Sequence, residues 1–113
     1  MNDVKPTIKF EDFSKIDMRI GTVVSAEEIP GSEKLLKMEV DFGDVGKRQI
    51  LAGIKEFYSV VDLIGTQACV VANLKPAKLM GLLSEGMLLA AKDESGLSLI
   101  RPERPKKIGT KIS

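Results

Sequence analysis

Two runs in which apolar and charged residues alternate one for one, a short helical stripe after them, and two further apolar runs beyond it predict an all-β fold. Three strands, a short helix and two strands is the element order of an OB-fold, a five-stranded Greek-key barrel, here with one short helix and a C-terminal β extension. A chain of 113 residues suits one domain with one core, in which about two-thirds of the extended-chain surface is buried. The barrel is expected over about 10–92 and the extension over about 93–113 of a single domain, 1–113.

The first element is a helical turn at 10–13, where Phe10 and Phe13, three apart, share one face. Ile16, Met18 and Ile20 then alternate with Asp17 and Arg19 as in a half-buried strand, and Gly21 permits a bulge or sharp coil before Thr22. Pro30, Gly31 and Ser32 make a turn. Leu36, Met38, Val40 and Phe42 alternate with Lys37, Glu39 and Asp41 in the cleanest strand pattern of the chain. Gly43 and Gly46 supply a hairpin connection that lays 47–53 antiparallel to that strand. Phe57, Val60, Val61 and Ile64 fall at i, i+3, i+4 and i+7, a helix of about two to three turns that Gly65 ends. The run 66–74 is apolar on both faces, a central fourth strand stopped by Pro76, which has no N–H for the ladder. Residues 87–91 form the fifth strand, the turn from Asp93 to Gly96 reverses the chain, and 97–100 add one more. A hairpin carrying Leu97, Leu99 and Ile100, without a partner inside a closed barrel, is expected to pair with a second copy.

Composition narrows the function. Apolar runs such as 68–72 fall far short of the roughly 20 residues a spanning helix needs, and the N-terminus has no signal-peptide core, so a cytoplasmic location is expected. Met1 fits a chain that stands alone. Cys69, the single cysteine, lies in an apolar run, can form no intrachain disulfide, and reads as a small buried hydrophobe. Histidine is absent, which removes the commonest general base and the commonest metal ligand together. Ser84 is not in a Gly-x-Ser-x-Gly context, and the adjacent Glu27 and Glu28 read as solvent-facing charges sooner than as a Mg²⁺ site. The expectation is a binding module with no cofactor and no metal, not an enzyme.

A net charge of +1 gives no bulk pull toward nucleic acid, so any such role rests on arrangement. Lys75 and Lys78 stand without an acid in 73–80, and the tail carries Arg101, Arg104, Lys106, Lys107 and Lys111 against Glu103 alone. There is no tryptophan, one tyrosine and four phenylalanines, too few aromatic faces for a barrel that stacks unpaired bases.

Taken in order, the motifs at 10–13 (Phe-Glu-Asp-Phe), 16–21, 31–36 (Gly-Ser-Glu-Lys-Leu-Leu), 53–54, 71–76, 79–81, 84–87 (Ser-Glu-Gly-Met) and 108–109 form a specific set. In them the chain resembles the tRNA-binding domain found as a free dimeric protein and as the C-terminal appendage of many methionyl-tRNA synthetases, with related modules in human synthetase-associated cytokine precursors. The resemblance implies an OB barrel whose C-terminal extension mediates homodimerisation. It implies non-catalytic, structure-specific binding of folded tRNA at its outer corner, by a chain acting alone or in trans with a methionyl-tRNA synthetase catalytic subunit. Such binding reads shape and backbone and weakens with salt. The alternative is a branch of the same family described as a secretion-related chaperone of unfolded polypeptide, which lacks the completion by Gly86 and Met87.

On that resemblance the candidate tRNA-binding residues are Lys34, Asn73, Lys75, Lys78, Ser84, Glu85, Met87 and Arg19. Lys34 is a point charge in the first inter-strand loop, toward phosphate or merely on the surface. Lys75 and Lys78 bracket Pro76, whose preceding residue is biased to an extended course, and both are assigned to phosphate. The Asn73 amide bonds RNA or caps a loop carbonyl. Ser84 donates to phosphate, while Glu85 orders the loop through backbone or lysine contacts, since a carboxylate repels phosphate. Gly86 allows close backbone approach or a positive φ. Met87 is a core position, or packs on a ribose or base if it faces the groove. Arg19 points outward, to RNA or to an acid such as Asp17.

Overall fold

A single long strand, β1 (Met18–Glu28), organises the fold in the computed structural model, which describes residues 4–113. Met1, read above as the start of a free-standing chain, lies with Asn2 and Asp3 outside the described residues. Around β1 the order is α1 (Phe10–Phe13), β2 (Leu36–Asp41), β3 (Lys47–Ala52), α2 (Val60–Leu63), β4 (Gln67–Val71), β5 (Ala77–Leu79), β6 (Leu82–Ser84), β7 (Met87–Leu88), β8 (Ala90–Asp93) and β9 (Gly96–Leu99). The main sheet runs β3-β2-β1-β4-β7, every pair antiparallel, and curls into a nearly closed barrel of the OB type.

Alternation sets the wall. Along β2, Leu36, Met38 and Val40 are buried and Glu39 is exposed, and Phe42 closes the end of the core that also holds Val23, Ile50, Leu63 and Val70. β1 runs straight through Gly21. The register irregularity lies further on, between Val23 opposite Val40 and Ser25 opposite Glu39, which leaves Val24 as the extra residue. Gly21 has a packing reason instead: a Cβ there would run into Val40 and come within 2.8 Å of the Phe42 ring. Sequence periodicity marks glycine in a strand but not which of these two roles it has.

The helix also departs from its stripe. α2 is one turn, with the Ser59 hydroxyl accepting from the Asp62 N–H at 3.2 Å and Gly65 beyond its end at φ +88°. It buries Leu63, whereas Val61 is 80% exposed. Phe57 and Tyr58 lie instead in a turn bonded to the Ile54 carbonyl, and the Tyr58 hydroxyl accepts from the Leu99 N–H at 3.0 Å.

The last hairpin is not left without a partner within the chain. Leu99 is buried in the core with Leu97 packed against it, the Ile100 N–H donates to the Leu89 carbonyl at 2.9 Å, and its carbonyl accepts from Cys69 at 2.9 Å. Beyond it, the tail lies along β1: the Ile20 N–H donates to Thr110, Gly109 donates back to Ile20 at 2.8 Å, and Ile112 donates to Met18 at 2.9 Å. Gln67 fixes its approach, its amide bonding both the N–H and the carbonyl of Lys106. Gly109 adopts φ +85°, and a Cβ on it would strike the Phe42 carbonyl, which accounts for the glycine in the 108–109 motif.

Candidate nucleic-acid interface

The stretch 73–87 is a built hairpin more than a loop. Leu79 pairs with Leu82 across a two-residue turn in which Met80 and Gly81 take φ +50° and +79°, the sign combination of a type I′ turn. Met80 is the one non-glycine with positive φ among the described residues. The usual asparagine-glycine signal for such a turn is missing from the sequence, so the hairpin was not legible there.

Ser84 to Met87 close the barrel. The main-sheet order leaves β3 and β7 at its two ends, and the edge of β3 is met by backbone and side-chain groups of Ser84 and Glu85 in place of a paired strand. The Glu85 N–H donates to the Gln49 carbonyl at 2.8 Å, while the Glu85 carboxylate accepts from the Gln49 N–H at 2.9 Å. One residue earlier, the Ser84 hydroxyl accepts from the Leu51 N–H and donates to the Gly86 carbonyl, both at 3.0 Å. Ser84 is buried, and its one O–H donor is engaged. A Cβ on Gly86 would stand 3.1 Å from the Val71 carbonyl, so this glycine lets the chain pass close over β4. Met87, opposite Val71, faces outward and is about half exposed.

Asn73 and Arg19 are held from the other side. The Asn73 amide accepts from the Asp17 N–H at 2.8 Å and donates to the Lys15 carbonyl at 2.6 Å, tying the end of β4 to the α1–β1 link. Arg19 forms a forked pair with Asp17, at 2.9 and 3.1 Å, and reaches the Gly109 carbonyl at 3.4 Å. Arg48, which the sequence does not distinguish from other strand charges, donates to the Ala72 carbonyl and braces the same strand end.

Lys34, Lys75 and Lys78 are exposed. None of them takes part in an ion pair among the described residues, whereas Lys37 pairs with Glu27 at 2.6 Å and Lys55 reaches Glu28 at 3.8 Å. Both residues of the Glu27-Glu28 pair therefore face lysines. The loop bearing Lys34 is ordered by the Ser32 hydroxyl, which accepts from the N–H groups of Lys34 and Leu35, and by Lys55, whose ammonium donates to the Ser32 carbonyl at 2.9 Å. This loop meets the hairpin: the Met80 methyl lies 3.8 Å from where a Cβ on Gly31 would stand. Lys34 and Lys78 thus flank one contact, three and two residues from it. No residue of 30–35 or 73–87 is aromatic. The arrangement offers ammonium groups on short, fixed supports, which suits phosphates spaced along a backbone, and it presents no ring on which to stack a base.

Residues 18–111 match the family described as "Putative tRNA binding domain". Over 99 residues the chain is 56% identical to the methionine–tRNA ligase of Methanocaldococcus jannaschii, covering 87% of this chain and 15% of that protein. It spans about one-seventh of the length of the curated relatives it matches, 14 to 16%. Among solved structures it is similar to the chaperone CsaA of Bacillus anthracis str. Ames, with a TM-score of 0.86 and 38% identity over 96% of this chain and 100% of that one. It is likewise similar to the MetRS related protein from Pyrococcus horikoshii, with a TM-score of 0.87 and 35% identity over 96% and 99%. A barrel closed by Ser84 to Met87, a tail laid back through Gly109, and a family match over 18–111 lead to one assignment: the chain belongs to this tRNA-binding domain family.

Proposed function

We propose that this chain is a non-catalytic binder of folded tRNA that reads backbone and shape at the outer corner, alone or in trans with a methionyl-tRNA synthetase. One observation carries the reading: Lys34, Lys75 and Lys78 stand without acidic partners among the described residues, on two supports that approach each other at Gly31 and Met80. In this reading the three lysines take phosphates and Met87 packs on the sugar-phosphate edge, while Ser84, Glu85, Asn73 and Arg19 hold the surface in shape. The tie to a methionyl-tRNA synthetase is supported by the relatives of that name. A homodimer is supported by the exposed Phe10, Phe13 and Ile112, which border an open groove of about 460 Å³ beside the tail. A cytoplasmic location goes with a role in translation, and no helix among the described residues is long and apolar enough to cross a membrane.

The chaperone reading is supported by the likeness to CsaA chaperones, among them that of Bacillus anthracis at 38% identity. A gel-shift series against intact tRNA, the same tRNA unfolded, and a denatured protein, repeated across salt concentrations, separates the two. Preference for intact tRNA with a steep salt dependence is expected. Equal affinity for the unfolded RNA removes shape reading, and preference for denatured protein favours the chaperone.

A further inference from the structure

Five large apolar side chains, Leu74, Leu79, Met80, Leu83 and Met87, are each exposed by 39% or more within the stretch that forms the β5–β6 hairpin and its flanks. Single exposed apolar residues are ordinary, but five within one hairpin stretch are a concentration that marks a contact surface. The barrel core has no need of them, since Leu82 and Ser84 turn inward on β6 while Leu83 alternates outward. Leu83 stands directly opposite Lys78, so an apolar side chain and an ammonium in no ion pair among the described residues share one face of the ribbon. The support is rigid: Ser84 and Glu85 anchor one strand to β3, the Gln49 amide donates to the Leu83 carbonyl at 2.8 Å, and the Met80 methyl rests beside Gly31. Methionine at a positive φ is strained, and the fold retains it where the residue is 55% exposed.

We infer that the hairpin tip is an apolar prong: Met80 and Leu83 pack against a nucleobase face or ribose left accessible at the corner of a folded RNA, between phosphates held by Lys34 and Lys78. The inference rests on the RNA-binding reading above and adds a term that salt does not screen. Charge selects the occupant. From 73 to 84 the hairpin carries two lysines and no acid, and Glu85, the next acid, is bonded to Gln49, so a polyanion with apolar faces fits better than a mixed-charge polypeptide. A thioether lies well on a base because sulfur contacts with aromatic rings are favourable, and one such residue reads an exposed base without needing a row of aromatics.

The test is binding of unfractionated tRNA by the full chain across a salt series. Met80→Ala with Leu83→Ala is expected to weaken binding about tenfold at every salt concentration and to leave the salt slope unchanged, since no counterion is released by either side chain. Affinity equal to the parent's overturns the prong while RNA binding stands. A parent that binds no folded tRNA removes both readings, and a variant that loses capture of denatured protein but keeps tRNA affinity assigns the surface to polypeptide. A second measurement needs no variant: saturating tRNA is expected to slow oxidation of Met80 by hydrogen peroxide about fivefold or more, read by mass spectrometry of the Met80 peptide. Oxidation at an equal rate with and without tRNA overturns the inference.

Discussion

The Ser84 hydroxyl accepts a hydrogen bond from the Leu51 backbone N–H at 3.0 Å, joining residues 33 apart in the chain at the one edge where the barrel lacks a paired strand. With the reciprocal pairing of Glu85 and Gln49 beside it, one bond from backbone and one from the carboxylate, it continues the ladder of β3 without a regular strand. Closure in this form leaves the hairpin ahead of it projecting from the wall, and so sets where Lys75, Lys78 and Met80 stand.

Ser84→Ala is expected to destabilise the domain by about 1–3 kcal/mol, because it strips a buried N–H of its partner and leaves the Gly86 carbonyl without its donor. Urea unfolding checks this: the midpoint falls and the slope stays. An unchanged midpoint removes Ser84 from the closure.

How much of this was legible in the sequence depended on periodicity. β2 follows from clean alternation, and β3 from the hairpin connection before it, whose glycines Gly43 and Gly46 do take positive φ, +70° and +93°. The helical stripe marked a short helix but overstated its length, since Phe57, Val60, Val61 and Ile64 keep helical spacing over about two turns while α2 is one, and Leu63, off that stripe, carries the burial. Ser84 to Met87 stood out as a motif, yet its pairing with Leu51 and Gln49 is long-range, and spacing within a segment holds no signal of a partner 33 or 36 residues away. The same holds for Gly109, whose need for glycine comes from the Phe42 carbonyl on the far side of the chain.

Gly109→Ala tests that contact. The position combines φ +85° with a Cβ collision at Phe42, so the tail should lift from β1 at a cost of about 1–3 kcal/mol. Hydrogen exchange reads the effect locally: the Ile20 amide, bonded to Thr110, exchanges faster, and the Val23 amide, bonded to Thr66, keeps its protection. Equal acceleration of both would mean global loosening, and no change at Ile20 would mean the tail is not held by Gly109.

Cys69 is buried in β4, and burial pushes its thiol up from the ordinary value, so less thiolate is present at any given pH than for a free cysteine. Native protein is expected to react with a disulfide reagent about a hundredfold slower than protein in denaturant. The native rate should go on climbing past the pH at which an exposed cysteine levels off. Rapid native labelling at neutral pH contradicts the burial.

The lysines give the sharpest test of how the surface works. If Lys75 and Lys78 each neutralise a phosphate, each displaces counterions on binding, and the plot of log affinity against log salt steepens by about one for every such contact. Lys75→Ala with Lys78→Ala is therefore expected to flatten that slope by about two, with most of the affinity loss at low salt and little at high salt, where screening has already removed it. Both side chains are exposed and belong to no ion pair among the described residues, so thermal stability should stay within about 0.5 kcal/mol of the parent and the slope change cannot be charged to unfolding. Lys37→Ala, which breaks the pair with Glu27 on the outer face of β2, is the control that alters charge equally away from the hairpin. A slope that moves as much for Lys37→Ala as for either hairpin lysine would assign the salt dependence to net charge, and the lysines would lose their place in the interface.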